Sequence, residues 1–150
     1  YLIIQNILNK IKIKNITKTN CNSIIDIGCS NGLTSIIASS LGYNVLSLDH
    51  DINCINLIKN IINKLNLQNI EAEQYSFGNI INKSYDIVIM LALIHWIYSC
   101  TSLFGNFDDI FKYIKPYINN YLLIEWIDTE DPAIKSFNHI DFNKKIQNQE

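Results

Sequence analysis

A glycine turn between two apolar segments, within residues 23–51, constrains the fold of this chain more than any other feature. The isoleucine-rich segment at 24–27 is typical of a strand, Gly28 permits a tight turn that can approach a ligand, and Gly32 lets the next helix begin close to the sheet. Asp49 ends the second apolar segment about twenty residues further on, the spacing at which a carboxylate accepts hydrogen bonds from ribose hydroxyls. The sequence therefore predicts a strand, turn, helix and strand that hold a ribose-containing ligand.

The residues beside the glycines separate two classes of cofactor. A dinucleotide site uses G-x-G-x-x-G, and Leu33 stands where its third glycine would be. Asp26, at the end of the first strand, would repel a diphosphate and attract a cationic ligand. A nucleotide-dependent oxidoreductase is therefore disfavoured, and an ordinary crossover without a ligand is the other alternative.

The pattern acidic-x-G-x-G-x-G, read as Asp26, Gly28, Ser30 and Gly32, resembles motif I of the class I S-adenosylmethionine-dependent methyltransferases. The resemblance implies that S-adenosylmethionine is the cofactor and that Asp49 binds its ribose. Ser30 replaces the middle glycine, so we expect that this position does not need a positive φ. Its hydroxyl would then be available to the methionine carboxylate of the ligand.

The same resemblance implies contacts further along the chain. Residues after the third predicted strand contact adenine in this family, often through an aspartate, and Tyr75 and Ser76 stand there in this chain. The segment that begins at Leu91 follows the fourth strand, where the family places residues that meet the substrate. The predicted cofactor-binding residues are Asp26, Gly28, Cys29, Ser30, Asn31, Gly32, Asp49, His50, Tyr75, Ser76 and Leu91.

His95 is the candidate catalytic base, because it follows the fourth strand at the edge where open α/β sheets bind ligands and imidazole titrates near neutral pH. The alternative is that His95 only packs at the start of a helix. Trp96, Tyr98 and Trp126 are candidates for an aromatic wall around a cationic methyl group or a flat substrate, with core packing as the alternative. No metal site is predicted, since a solvated loop and a helix cap explain the acidic residues at 128–131 better.

The order of these segments predicts a Rossmann-like three-layer α/β sandwich with a mostly parallel sheet. The predicted helices cover residues 1–14, 33–41, 52–65, 107–114 and 131–140. The predicted strands cover residues 24–27, 45–49, 70–75, 85–91 and 121–127, the last with Glu125 inside it. One domain is expected over 1–150, divided into a helix and linker (1–22), an αβ core (23–140) and a polar tail (141–150). In the resembled family a helix like the first covers the cofactor. Two more strands complete the family's sheet, and we expect this sequence to lack them.

Composition narrows the choice of partners. A net charge of −2 and a pI near 5.9 argue against a domain that binds nucleic acid by itself. The 4 cysteines lack the spacing of a zinc site or a disulfide framework, which favours a reducing compartment, the cytoplasm. No apolar run reaches membrane-spanning length. We therefore expect a small-molecule partner and no nucleic-acid or membrane contact, while the oligomeric state stays open.

These features predict a methyltransferase that transfers a methyl group from S-adenosylmethionine to an oxygen or nitrogen of a small-molecule acceptor. Residues 91–96 and 123–134 also resemble methyltransferases related to nodulation host-specificity proteins, which implies a small-molecule, sugar or lipid-linked acceptor. The motif Asn-Pro-Pro-Tyr is absent, which counts against amino-methylation of adenine or glutamine. The alternative function is a catalytically inactive or partial methyltransferase-like domain that acts as a binding or scaffold module.

Overall fold

The computed structural model describes residues 2–15, 21–100 and 103–126. The helices are α1 (Leu2–Asn15), α2 (Leu33–Ser40), α3 (Ile52–Leu65), α4 (Ile94–Cys100) and α5 (Phe107–Ile114). The strands are β1 (Ser23–Ile27), β2 (Asn44–Asp49), β3 (Ile70–Gln74), β4 (Tyr85–Met90) and β5 (Ile118–Ile124). The predicted helix at 131–140, the acidic residues at 128–131 and the polar tail at 141–150 lie outside the described residues.

The five strands form one sheet with the order β3-β2-β1-β4-β5, and every pair of neighbours is parallel. β1 is central, with Ile24 opposite Val45 of β2 and Ile87 of β4. The chain builds outward from β1 on one side and then returns to add β4 on the other. Open α/β sheets bind ligands in the crevice that such a reversal leaves at the carboxyl ends of the strands.

Helices cover both faces of this sheet. Successive strand residues point to opposite faces, so Ile24 packs with Leu8 of α1 and Ala38 of α2, whereas Ile25 packs in the cluster that contains Ile110 of α5. The predicted three-layer α/β sandwich with a parallel sheet is therefore confirmed for the described residues.

The first helix packs beside the end of α2. The Lys12 ammonium donates a hydrogen bond to the carbonyl of Leu41 and lies 5.0 Å from the centre of the Tyr43 ring. The Tyr43 hydroxyl donates in turn to the carbonyl of Leu8 at 3.0 Å. None of the described residues of α1 lines the cavity at the carboxyl edge of the sheet, so this helix contributes to the core here.

The fifth strand begins three residues earlier than the sequence predicted and ends before Glu125. Pro116 lies in a 3₁₀ turn at Lys115–Tyr117 that leads directly into the strand. The polar start of β5 is tolerated at this side of the described sheet, where the Asn120 side chain donates to Asp86 Oδ1 at 3.2 Å. Glu125 is exposed and follows the strand, so the prediction that its carboxylate lies inside a strand is wrong.

Candidate cofactor-binding site

The turn between β1 and α2 places three alternate residues in the left-handed conformation. Gly28, Ser30 and Gly32 have φ angles of 76°, 50° and 76°. The backbone N–H groups of Gly28 and Cys29 both donate to the carbonyl of Leu48, at 2.7 and 3.0 Å. These two bonds fasten the turn to the end of β2.

The expectation that Ser30 avoids a positive φ is wrong, and Asp49 provides the physical reason. Oδ2 of Asp49 accepts a hydrogen bond from the backbone N–H of Ser30 at 2.8 Å. The left-handed conformation costs an L-residue about 1–2 kcal/mol. A hydrogen bond to a charged group contributes about 1.5–3 kcal/mol, which is enough to offset that cost. The predicted ribose acid therefore also shapes the glycine turn.

Asp49 retains acceptor capacity for a ligand. Its Oδ1 accepts from the backbone N–H of Asp51 at 2.9 Å and lies 3.2 Å from Nδ1 of the exposed His50. A carboxylate offers about four acceptor positions, of which the two backbone N–H groups occupy only half. The carboxylate is thus held in place from one side and can accept hydrogen bonds from ribose hydroxyls on the other.

Asp26 lies beneath the turn and is only 2% exposed. Its Oδ2 accepts a hydrogen bond from the Ser35 hydroxyl at 2.6 Å. Burial raises the pKa of Asp26 to about 6; the Ser35 hydrogen bond opposes that rise, and the nearby charge of Asp49 adds to it. The carboxyl group therefore sits close to the turn without reaching the cavity surface.

A cavity of about 780 Å³ opens at the carboxyl ends of the central strands. Its volume falls in the range of about 300–1,000 Å³ that is typical of small-molecule sites. The predicted cofactor residues that line it are Gly28, Ser30, Asp49, His50, Tyr75, Ser76 and Leu91. The predicted residues that do not line it are Asp26, Cys29, Asn31, Gly32 and the candidate base His95.

The non-lining residues of the turn support its shape. The Asn31 side chain accepts from the backbone N–H of Leu33 at 3.1 Å, at the start of α2. Gly32 faces α3, because a Cβ placed on it would lie 2.6 Å from Cγ1 of Ile58. Cys29 packs in the same cluster as Ile58, and burial raises the pKa of its thiol. Cys29 and Gly32 thus face the core, and the exposed Asn31 stabilises the start of α2.

Sequence reasoning missed much of the cavity wall. The lining residues that it did not name for the site are Ile27, Asp51, Cys54, Phe77, Ala92, Leu93 and Ile97. Four of them, Asp51, Phe77, Ala92 and Leu93, follow β2, β3 or β4 within three residues. A rule that includes the first three residues after every parallel strand would have found these four.

The three predicted wall aromatics divide between two places. Trp96 lines the cavity. Tyr98 is buried and stacks on Phe107 with ring centres 4.5 Å apart, and Trp126 contacts the same ring edge-on at 5.2 Å. His95, in the first turn of α4, is 6% exposed, with its ring centre 5.8 Å from that of Trp96. Only one of the three predicted aromatics thus lies at the cavity among the described residues.

The cavity carries negative charge. Asp49 and Asp51 line it, and no lysine does so within residues 2–15, 21–100 and 103–126. The electrostatic field of these carboxylates favours a ligand with a cationic group over a diphosphate.

Within residues 2–15, 21–100 and 103–126, no helix has the length and apolar character required to span a membrane.

The sheet order, the glycine turn and the acid at the end of β2 define the fold of the class I S-adenosylmethionine-dependent methyltransferases. The family described as tellurite resistance protein TehB matches residues 4–144. The chain therefore belongs to the TehB family, which is a family of S-adenosylmethionine-dependent methyltransferases. A comparison with curated protein sequences gave no match.

Solved structures show the same fold. Monomeric WbdD is 15% identical with a TM-score of 0.72, over 99% of this chain and 37% of its own. TehB from Haemophilus influenzae is 26% identical with a TM-score of 0.59, over 77% of this chain and 39% of its own. Coclaurine N-methyltransferase, solved with N-methylheliamine and SAH, is 14% identical with a TM-score of 0.61, over 81% of this chain and 35% of its own. This chain thus spans less than two fifths of the length of each.

Proposed function

We propose that this chain binds S-adenosylmethionine in the cavity at the carboxyl edge and transfers its methyl group to an oxygen or nitrogen of a small-molecule acceptor. The observation that carries the proposal is the geometry of Asp49, whose carboxylate is held by the N–H groups of Ser30 and Asp51 and still has room for ribose hydroxyls. Gly28 supports it, because it lines the cavity without a side chain beside Leu93, whose methyl group a Cβ would approach to 2.9 Å.

The residues of the turn take separate roles in this proposal. Asp49 accepts from the ribose, and the Ser30 hydroxyl donates to the methionine carboxylate. Tyr75 and Ser76, which line the cavity after β3, contact the adenine. The buried Asp26 attracts the cationic groups through the turn. When bound, S-adenosylmethionine supplies an electrophilic methyl group on a sulfonium.

The acceptor side of the cavity is the apolar wall of Leu93, Trp96 and Ile97. With carboxylates and no lysine among the described lining residues, this wall favours a neutral or cationic acceptor over an oxyanion. His95 is the proposed base that removes the acceptor proton. Its ring lies beside Trp96 of this wall and is buried, so the proposed role requires that the ring reorient toward a bound acceptor.

Calorimetry with S-adenosylmethionine, S-adenosylhomocysteine and NAD on the purified chain tests the cofactor. We expect micromolar binding of the first two and none of NAD, and binding of NAD alone would overturn the proposal. Methyl transfer is then measured with phenols and amines as acceptors. Tellurite is included as an oxyanion acceptor, because the family is described as a tellurite resistance protein. Cofactor binding without transfer to any acceptor would favour the alternative, a binding or scaffold module.

His95 is tested separately through kcat and the affinity for the cofactor product. We expect His95→Gln to lower kcat about a hundredfold or more, the usual contribution of a general base, while the affinity for S-adenosylhomocysteine stays the same. An unchanged kcat would show that His95 only packs at the start of α4.

The proposal also places the protein in the cytoplasm. Cys29 and Cys54 are both present as thiols, which fits a reducing compartment.

A further inference from the structure

One wall of the cavity is a short loop that follows β3. Tyr75, Ser76 and Phe77 line the cavity from this loop. Gly78 turns the chain with a φ of 106°, and a Cβ on it would lie 2.6 Å from a Leu103 methyl group. The loop therefore has a defined path, although it belongs to no helix or strand.

A residue outside the cavity connects this loop to α5. The Tyr113 hydroxyl on α5 lies 2.8 Å from the Tyr75 hydroxyl, and it also donates to the carbonyl of Asn79. The Tyr75 hydroxyl lies 2.9 Å from the same carbonyl. Each hydroxyl has one proton, so Tyr113 can donate to Asn79 while Tyr75 donates to Tyr113, and both protons are used. The link thus holds the loop at two points, four residues apart.

The aromatic rings add a second contact between the same partners. The Tyr113 ring lies 5.0 Å from the ring centre of Phe77 and 5.5 Å from that of Phe104. Phe77 and Phe104 are themselves 5.4 Å apart in an edge-to-face arrangement. These are the separations at which aromatic pairs attract beyond their buried area. Burial raises the pKa of both Tyr75 and Tyr113, so both hydroxyls keep their protons near neutral pH.

We propose that Tyr113 is a positioning residue for the cofactor: from α5, and without lining the cavity, it fixes the Tyr75 and Phe77 wall against which the ligand packs. The inference rests on the proposed function, since it assumes that this cavity holds the cofactor. Tyr113 acts through Tyr75 and the loop, so its loss makes the positions of the Tyr75 and Phe77 side chains less fixed before the ligand binds. Such preorganisation affects affinity, and leaves a step at the methyl group unchanged once the cofactor is bound.

The test compares Tyr113→Phe with Tyr43→Phe. Tyr43 is a matched control, because its hydroxyl also donates to a backbone carbonyl, that of Leu8 at 3.0 Å, but on the other face of the sheet. We expect Tyr113→Phe to raise the calorimetric Kd for S-adenosylhomocysteine about three- to tenfold, the loss of roughly one net hydrogen bond. We expect Tyr43→Phe to lower the melting temperature while its Kd stays within about twofold of the parent.

Two further measurements separate positioning from general destabilisation. Tyr75→Phe should raise the Kd to a similar extent, and the double variant should lose little more than either single variant, because both lie in one link. In the methyl-transfer assay, Tyr113→Phe should raise KM for S-adenosylmethionine and leave kcat unchanged. A folded Tyr113→Phe with the parent's Kd, or an equal loss in Tyr43→Phe, would overturn the inference. Failure of the parent to bind S-adenosylhomocysteine would instead refute the proposed function.

Discussion

The Ser35 hydroxyl donates a 2.6 Å hydrogen bond to Oδ2 of Asp26, and both side chains are buried beneath the glycine turn. One hydroxyl is a small compensation for the burial of a carboxylate. The pKa of Asp26 consequently rises to about 6 despite this hydrogen bond. A group with this environment lowers stability when it is charged, which is the pattern expected of a carboxylate kept for a ligand.

Asp26→Asn should stabilise the protein at neutral pH. The pKa of Asp26 rises from 3.8 to about 6 on folding, so its contribution is complete below pH 3.8 and is lost as the pH rises through 6. That shift corresponds to roughly 3 kcal/mol of stability absent from the parent at pH 7. In urea unfolding between pH 4 and 7, the free energy of unfolding of the variant should increase relative to that of the parent as the pH rises. Parallel pH profiles for the two proteins would contradict the assignment.

The same substitution should weaken binding of S-adenosylmethionine. Charged Asp26 attracts the sulfonium and ammonium groups, so the parent's affinity should rise between pH 5 and 7 as Asp26 loses its proton. The variant lacks this titration, and its affinity should be lower at pH 7 and less dependent on pH. Calorimetry across this range is the measurement. A variant that is more stable and binds as well as the parent would show that Asp26 has no role toward the ligand.

The sequence predicted the parts of the site that local patterns encode. Asp49, the glycine pair and the buried β4 are readable because each depends on residues close in sequence. The positive φ of Ser30 was missed, because it is compensated by Asp49, nineteen residues away at the end of β2. The wall from Phe77 to Ile97 was incompletely predicted, because side chains join it only after parallel strands align their carboxyl ends.

Asp49→Ala should raise the Kd for S-adenosylhomocysteine by a factor that corresponds to about 1–3 kcal/mol, since hydrogen bonds to a charged acceptor are lost. Asp86→Ala is the matched control. The Asp86 carboxylate also accepts from two backbone N–H groups, those of Asn22 and Ser23 at 2.9 Å, but at the amino edge of the sheet. Both variants should melt at lower temperature, and only Asp49→Ala should bind more weakly. Equal affinities in the two variants would mean that Asp49 shapes the turn without touching the ribose.

Gly32→Ala should destabilise the fold by about 2–4 kcal/mol, through the left-handed φ and through overpacking. The built Cβ would lie 2.6 Å from Cγ1 of Ile58 and 2.9 Å from its Cδ1, so the missing side chain of this glycine makes room for α3. Removing the obstacle with Ile58→Ala should reduce the cost of Gly32→Ala to the roughly 1–2 kcal/mol of the left-handed conformation.

Gly105→Ala provides the neutral reference for that cycle, because its Cβ would meet nothing within 4 Å. Urea unfolding of the four cycle members gives the coupling between positions 32 and 58, and we expect it to be about 1–3 kcal/mol. The bulkier Gly32→Val should lose cofactor binding mainly because the domain loses stability, since Gly32 does not line the cavity. The opposite result would be a coupling near zero together with a Gly32→Val variant that is folded but does not bind S-adenosylhomocysteine. It would mean that Gly32 makes room for the ligand and not for Ile58.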